Sequence, residues 1–259
     1  MARIFSQSFI GVEWTWSAGD PTPPYSGMQQ NGSGSDAYEA SILARASYPT
    51  NLGGAGGNGI MHELDDGDNQ GTHSFRYVHA NRSEIWMRFY HKITAGVTIT
   101  QYTKTLDLDE AADRIIFGIQ NNAWGFWQAS GSPTFPFTST FTWADLFGGS
   151  GSDGQWHCFE IHLKQGAGNG ICEIWFDNVL VGSTTTATLN GSSGFSGGRF
   201  YTNQFIGGPG GPYEVHIDEI EVDDALRVGP LGGGGGGVVV VSRPPAATRM
   251  IGLVPMGMR

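Results

Sequence analysis

What most limits this chain is its punctuation: short segments in which apolar and polar residues alternate, each closed by a cluster of glycine, serine or asparagine. Residues 84–92, 97–104, 114–119, 156–164, 171–181, 200–206 and 213–222 follow this period of two. Such alternation sets one face of an extended strand on a core and the other on solvent. Glycine, at 41 of 259 residues, disfavours long helices and supplies the turns that antiparallel strands need. Only residues 109–113 and 143–147 read as helical turns. The sequence therefore predicts an all-β fold, an antiparallel two-sheet jelly-roll sandwich with an extended C-terminal arm.

Charge divides the chain near residue 231. Residues 1–231 hold all 24 acidic side chains and 11 of the 14 Lys and Arg, a net −13, whereas residues 232–259 hold Arg243, Arg249 and Arg259 and no acid, a net +3. An acidic body repels a phosphate backbone, so nucleic acid is not an expected partner. The expected organisation is one jelly-roll domain over 1–231, a glycine tether over 232–237, and an apolar, basic arm over 238–259. Six glycines span roughly 12–15 Å root-mean-square, enough to carry the arm beyond its own subunit. Val238, Val239, Val240 and Val241, followed later by Ile251, Leu253 and Val254, form uncharged stretches that need burial. They are expected to add a strand or an apolar plug to a neighbouring subunit, so the expected partners are further copies of the chain or other components of a particle. Completion of the chain's own sheet is the alternative.

No run of about 18 apolar residues is present to span a membrane. Residues 1–30 also lack the apolar core of a secretion signal. Cys158 and Cys172 fall on one hairpin, and a register that sets Lys164 opposite Ile171 puts Cys172 beside Leu163 and Cys158 beside Asp177. That spacing is too wide for a disulfide. Reduced thiols without an export signal point to synthesis in a host cytoplasm, with an extracellular location as the alternative.

The same register separates two faces. His157, Phe159, Ile161, Leu163, Cys172, Ile174 and Phe176 form an apolar face, as do Ile85, Met87 and Phe89. The other face carries Arg82, Glu84, Trp86, Arg88 and Tyr90 on one strand, and Glu160, His162, Glu173 and Trp175 on the hairpin. Glu160 is expected beside Trp175, and His162 beside Glu173. Rings interleaved with charges suit a sugar, whose C–H face stacks on aromatics while its hydroxyls bond to charged groups. These nine residues are the candidate carbohydrate site. The competing reading is a solvated face, or one covered by a loop or a neighbour. In the acidic stretch 63–69, Asp65, Asp66 and Asp68 are candidate ligands for Ca²⁺, against the alternative of a solvated loop. No other cofactor is expected, and no Cys/His spacing suggests zinc. The glycine-rich residues 50–59 read as a surface loop.

Four strings carry a family resemblance: Ser83-Glu84-Ile85-Trp86-Met87-Arg88-Phe89-Tyr90, Trp156-His157-Cys158-Phe159-Glu160-Ile161-His162, residues 173–182 beginning Glu173-Ile174-Trp175-Phe176, and residues 213–222 beginning Tyr213-Glu214-Val215-His216. Over residues 80–225 the chain resembles the concanavalin A-like lectin/glucanase jelly rolls, which include laminin-G-like modules, lectins, glucanases and polysaccharide lyases. The resemblance implies the sandwich and leaves sugar binding and sugar cleavage both open. Alginate-lyase-like members show an Arg-Ser/Thr-Glu-Leu-Arg motif, a Gln-Ile/Val-His motif and a later catalytic tyrosine. Here Arg82-Ser83-Glu84 is followed by Trp86 where the second arginine belongs, Glu160-Ile161-His162 has glutamate for glutamine, and residues 171–181 contain no tyrosine. Glucanase-like members carry Glu-x-Asp-x-Glu on one strand, whereas the nearest string here is Glu219-Ile220-Glu221-Val222-Asp223. No catalytic residue is assigned. The expected function is that of a non-enzymatic structural or accessory virion protein, a phage capsid decoration, head fibre or tail component, which assembles through its arm and contacts glycans. A lectin module, or a lyase- or glucanase-like enzyme, is the alternative.

Overall fold

A computed structural model of the chain describes residues 3–7, 14–15, 28–30, 40–44, 59–65, 73–98, 102–110, 114–120, 122–128, 134–147, 151–189, 194–201, 205–206 and 213–231. With strands numbered in chain order, the first sheet runs β14 (Val179–Leu189), β13 (Gly166–Phe176), β12 (His157–Lys164), β7 (Glu84–Ile93), β17 (Tyr213–Asp223), β5 (Gly59–Asp65), β4 (Ala40–Ala44), β2 (Trp14–Thr15). β1 (Phe5–Gln7) also pairs with β17. The second sheet runs β11 (Thr134–Thr142), β10 (Ala123–Gln128), β9 (Arg114–Gln120), β8 (Tyr102–Glu110), β15 (Phe195–Tyr201), β6 (His73–Arg82), β3 (Met28–Gln30), and β16 (Phe205–Ile206) adds to β8. The strand pairs are antiparallel, and the fold is the two-sheet jelly-roll sandwich that the alternation implies.

The core lies where the inner faces meet. Phe159 is its hub, with ring centroids 5.0 Å from Trp124, 5.3 Å from Phe176, 5.5 Å from Phe89 and 5.7 Å from Phe117. These rings belong to both sheets, so stacked and edge-on aromatic contacts join the layers. At one side of the sandwich the edge strands β11 and β14 converge. A Cβ on Gly182 would sit 2.7 Å from the Cβ of Ser139, so the strands can approach this closely only with hydrogen at that position.

The β12–β13 hairpin has the anticipated register, with Lys164 opposite Ile171, Leu163 opposite Cys172 and Glu160 opposite Trp175. Both cysteines are free thiols. Residues 143–147 form the helical turn α1 (Trp143–Phe147), whose Trp143 indole donates to the Val97 carbonyl at 3.1 Å.

Several elements differ from expectation. Residues 171–181 are two strands rather than one, because Asp177 and Asn178 both take positive φ, 44° and 68°, and close a two-residue hairpin turn. Residues 97–104 do not form one strand: Val97 is buried just after the exposed Ala95-Gly96 turn, and β8 begins at Tyr102. Asp109 is the penultimate residue of β8 instead of the start of a helical turn. Residues 200–206 divide between β15 and β16. The strands β6, β10 and β14 have weak alternation or glycine-broken patterns, and the sequence reading did not separate them. Residues 50–58, the tether, the arm residues 238–241, 251, 253 and 254, and Asp66 and Asp68 lie outside the described residues. Asp65 ends β5, opposite Tyr213, in place of a position in a free loop. Among the described residues no helix is long and apolar enough to cross a membrane.

Truncating the aromatic hub should separate core packing from surface effects. Phe159→Ala is expected to cost about 3–5 kcal/mol by urea unfolding, and Phe159→Leu less than half of that.

Candidate functional site

The outer face of the first sheet holds the polar and aromatic side chains. β7, β12 and β13 present them in rows: Trp86 beside His162 beside Glu173, and Arg88 beside Glu160 beside Trp175. β17 completes the face from the other side through a bulge. Between Asp218, opposite Tyr90, and Glu221, opposite Arg88, it contains one residue more than β7. Glu219 is the extra residue, at φ 52°, with its N–H accepted by Asp218 Oδ1 at 2.8 Å. The bulge reverses side-chain parity, so that Val215 and Ile217 before it and Ile220 and Val222 after it all reach the core. Glu221 is thereby delivered to the outer face.

Residues 224–231 cross this face as a strap. Arg82 Nε meets Asp224 Oδ2 at 2.5 Å where the strap begins. Arg227 then places its guanidinium 3.6 Å from the Trp175 ring centroid. Its Nε donates to Glu160 Oε2 at 3.0 Å and its Nη2 to Glu160 Oε1, with a further bond from Nη2 to Asn178 Oδ1 at 2.8 Å. Gly229, at φ 75°, donates its N–H to Glu160 Oε2 at 2.8 Å and accepts from Arg88 Nη1 at 3.1 Å. The Leu231 N–H reaches the Tyr90 hydroxyl at 2.7 Å. Arg88 in turn binds Glu221 at 2.9 Å, and Arg3 pairs with the same carboxylate. Glu160, only 1% exposed, is thus neutralised by a forked guanidinium and a backbone N–H.

A second cluster lies beyond the strap. The His162 ring stacks on Trp86 with centroids 3.7 Å apart and planes 8° apart. Its Nε2 faces Glu84 at 2.9 Å and its Nδ1 faces Glu173 at 3.0 Å. Lys164 completes the cluster, 2.9 Å from the other Glu84 oxygen. Both ring nitrogens of His162 are thus occupied by carboxylates, and neither is open to a substrate. The pK of Glu84 is raised by burial, but the Lys164 and His162 contacts outweigh that and hold it below the usual carboxylate value. The His162 hydrogen bond does the same for Glu173, against some desolvation.

Elsewhere on these strands, burial, with a smaller contribution from the nearby His157, pulls the His91 imidazole down to about 3. Burial also acts against charge on His157, but Asp177 at 2.8 Å and Asp153 at 3.1 Å more than compensate and raise its pK. Cys158 and Cys172 are both pushed up to about 12 by burial, so neither is a nucleophile near neutral pH. Tyr90 is raised for the same reason, which keeps it a neutral partner for Leu231.

Eight of the nine sequence-assigned residues share this one face, but they do not form an open platform. The ninth, Arg82, was expected on the same strand as Glu84 but ends β6 of the second sheet, where the chain turns at Ser83, and it meets the strap at Asp224. Arg88, Tyr90, Glu160 and His162 are buried, and Arg82, Glu84, Trp86, Glu173 and Trp175 are partly exposed. The alternative of a face covered by a loop holds for the Arg88, Glu160 and Trp175 row. Sequence reasoning missed the covering residues Arg227, Asn178 and Gly229. One signal was present: Arg227 is the only Lys or Arg in residues 200–231, following six acidic residues. Glu219 and Glu221 sit around Arg88, 3.9 and 2.9 Å from it, and Asp223 accepts the N–H groups of Ala225 and Leu226, so the 219–223 string is structural. Among the described residues no group of three or more His, Cys, Asp or Glu is arranged to hold a metal ion.

Sheet order and register define an antiparallel two-sheet jelly roll. Its fold is similar to that of an endo-β-1,4-glucuronan lyase from the fungus Trichoderma reesei, 16% identical over 85% of this chain and 95% of that chain, TM-score 0.52. It is similar as well to the cellulose-induced protein Cip1, 15% identical over 87% and 99% of the two chains, TM-score 0.53. The binding domain of botulinum neurotoxin serotype D/C matches 86% of this chain with 48% of its own, at 13% identity and TM-score 0.52. No protein family and no curated protein matches the sequence.

Two outcomes follow from the buried charges. Arg227→Ala removes the guanidinium that pairs with the buried Glu160 carboxylate, and should cost about 3–5 kcal/mol by urea unfolding, with part of the loss recovered in Arg227→Ala/Glu160→Gln. His91 behaves with opposite sign to a paired histidine. The unfolded chain binds its proton near 6.5 and the folded chain only near 3, so stability falls as pH drops between those values. His157, with a raised pK, stabilises fully below 6.5 and loses that contribution as pH rises through its folded value. His91→Phe should therefore flatten the acid limb of stability against pH, by up to about 1.4 kcal/mol per pH unit, and leave the neutral limb in place.

Proposed function

We propose that this chain is a non-enzymatic jelly-roll protein that contacts neutral glycans and serves as an accessory component of a virion, such as a phage capsid decoration, head fibre or tail part. One observation carries the binding reading over the catalytic one: the ionisable groups on the outer face are bonded to each other. His162 is held between Glu84 and Glu173, and Glu160 is held by Arg227, so the face offers stacked rings without a free acid–base pair. The accessible ring is the partly exposed Trp86, backed by the buried His162 and flanked by Glu84, Glu173 and Lys164. Trp175, whose ring faces Arg227, is a structural partner.

Charge selects the class of glycan. Glu84, Glu160, Glu173, Asp218, Glu219, Glu221, Asp223 and Asp224 outnumber Arg3, Arg82, Arg88, Lys164 and Arg227 on and around the face. A uronate polymer meets net repulsion there, whereas a neutral sugar loses nothing to it. The virion reading is supported by the change of composition after residue 231, where an acidic domain gives way to a glycine tether and a basic, apolar arm.

Calorimetry or array binding with neutral oligosaccharides should show binding by the intact chain that drops about tenfold or more in Trp86→Ala, with the unfolding midpoint little changed. Absence of binding to any neutral glycan would refute the reading. Turnover of a polysaccharide by the wild type would establish the lyase- or glucanase-like alternative instead.

A further inference from the structure

We propose that His157 is a proton-operated latch: doubly protonated, it ties residues 153–156 to the turn between β13 and β14, and once neutral it keeps the turn and lets that loop go. The imidazole lies between two carboxylates. Its Nδ1 faces Asp177 Oδ2 at 2.8 Å, and its Nε2 faces both oxygens of Asp153 at 3.1 Å. An ionised carboxylate only accepts hydrogen bonds, so the ring satisfies both partners only with a proton on each nitrogen. The neutral ring has one N–H and one lone pair, and the lone pair then faces a carboxylate at hydrogen-bonding distance. One of the two contacts has to break.

The two carboxylates differ in how firmly they are held. Asp177 is fastened to β12 twice more: its N–H donates to the Cys158 carbonyl at 2.9 Å, and its Oδ1 accepts the Cys158 N–H at 2.8 Å. With Asn178 it forms the hairpin turn, and Asn178 is held by Arg227. Asp153 is 43% exposed, and its Oδ1 accepts the Gln155 N–H within its own loop. Upstream, the chain is pinned at Ser152, whose N–H donates to the Val97 carbonyl at 2.8 Å and whose Oγ accepts the Val97 N–H at 2.9 Å. Downstream, it is pinned where β12 begins at His157. Residues 153–156 are therefore a short span between two fixed points, and the His157–Asp153 contact is its clasp. The span carries Trp156, whose ring stands 6.1 Å from that of His216 on β17, so release of the loop loosens that contact as well.

The surroundings of the ring set the direction of the switch. Phe147 and Phe176 flank it at 5.4 and 4.9 Å, and His91, kept neutral by burial, stands opposite it on β7. Desolvation disfavours the charged ring, but Asp177 and Asp153 outweigh it and raise its pK above 6.5. Burial acts against the Asp153 carboxylate too, but the Gln155 N–H and His157 hold its pK below the ordinary value, so it stays ionised as His157 titrates. A raised folded value means that the latch is fully closed below 6.5 and opens as pH rises through that folded value.

Backbone order parameters of the full-length chain, measured by carbon-detected NMR near neutral and alkaline pH, test the latch. In wild type, residues 153–156 should fall from about 0.85 near pH 6 to about 0.6 or below near pH 9, while Asp177 and Asn178 keep their order. Asp153→Asn supplies an amide that accepts from the charged ring and donates to the neutral one, so the loop should stay ordered at both pH values. The same substitution should lower the midpoint of the His157 ring titration, which lies above 6.5 in wild type. His157→Gln should remove the pH dependence as well. The proposal is overturned by a loop whose order in wild type does not change with pH, by a change that survives in Asp153→Asn, or by loss of order at Asp177 in place of residues 153–156.

Discussion

A carboxylate placed on a sheet and then covered has to find its counter-charge within hydrogen-bonding distance, and Glu160 imposes that requirement on everything around it. The requirement is met by Arg227, which can reach Glu160 only because the chain leaves β17 and turns back across the sheet. That path brings Gly229 between Glu160 and Arg88, and Arg88 then needs Glu221. Glu221 faces outward only because β17 has gained a residue at Glu219. The strap, the bulge and the ion-pair chain from Arg3 to Arg227 are consequences of one buried negative charge. Breaking any link exposes the others to an unpaired charge in a poorly solvated place, where the cost is several times that of an exposed ion pair.

The same economy of charge underlies the recognition role proposed for this face. Groups that perform proton transfer must keep one proton site open to the substrate, whereas groups that orient a ring can be fully occupied. His162 is the clearest case. Carboxylates on both sides fix its plane, and a fixed plane parallel to Trp86 makes a rigid aromatic shelf at low entropic cost. The fold shared with a glucuronan lyase and with Cip1 does not decide between binding and cleavage. The proposed choice between them rests on the side chains of this chain's own outer face.

Much of this arrangement was legible in the sequence. The alternation of Phe159, Ile161 and Leu163 with Glu160 and His162 fixed both the hairpin register and the composition of its two faces, because a strand shifted by one residue would bury glutamate and histidine in the aromatic core. The eight face residues were legible for the same reason, whereas the turn at Ser83 that puts Arg82 on the other sheet was not. What alternation could not reveal was anything that breaks period two. Asp177-Asn178 looks like a polar step within a long strand until backbone φ is known, and the Glu219 bulge keeps an apparently regular string while reversing its sense. Arg227 was hidden differently, since its role depends on contact with a residue 67 positions away. No local pattern reports such a pairing.

β1 and the strap meet on one side of the sandwich: Arg3 and Arg88 share the Glu221 carboxylate, and Arg88 also holds the Gly229 carbonyl. Entry to and exit from the described domain are therefore neighbours, fastened by a common ion pair. A domain with that layout behaves like a bead hung from a single point. It can be spliced into a longer polypeptide or strung in tandem without the host chain having to bridge its width, and its far sheet is then held away from whatever carries it.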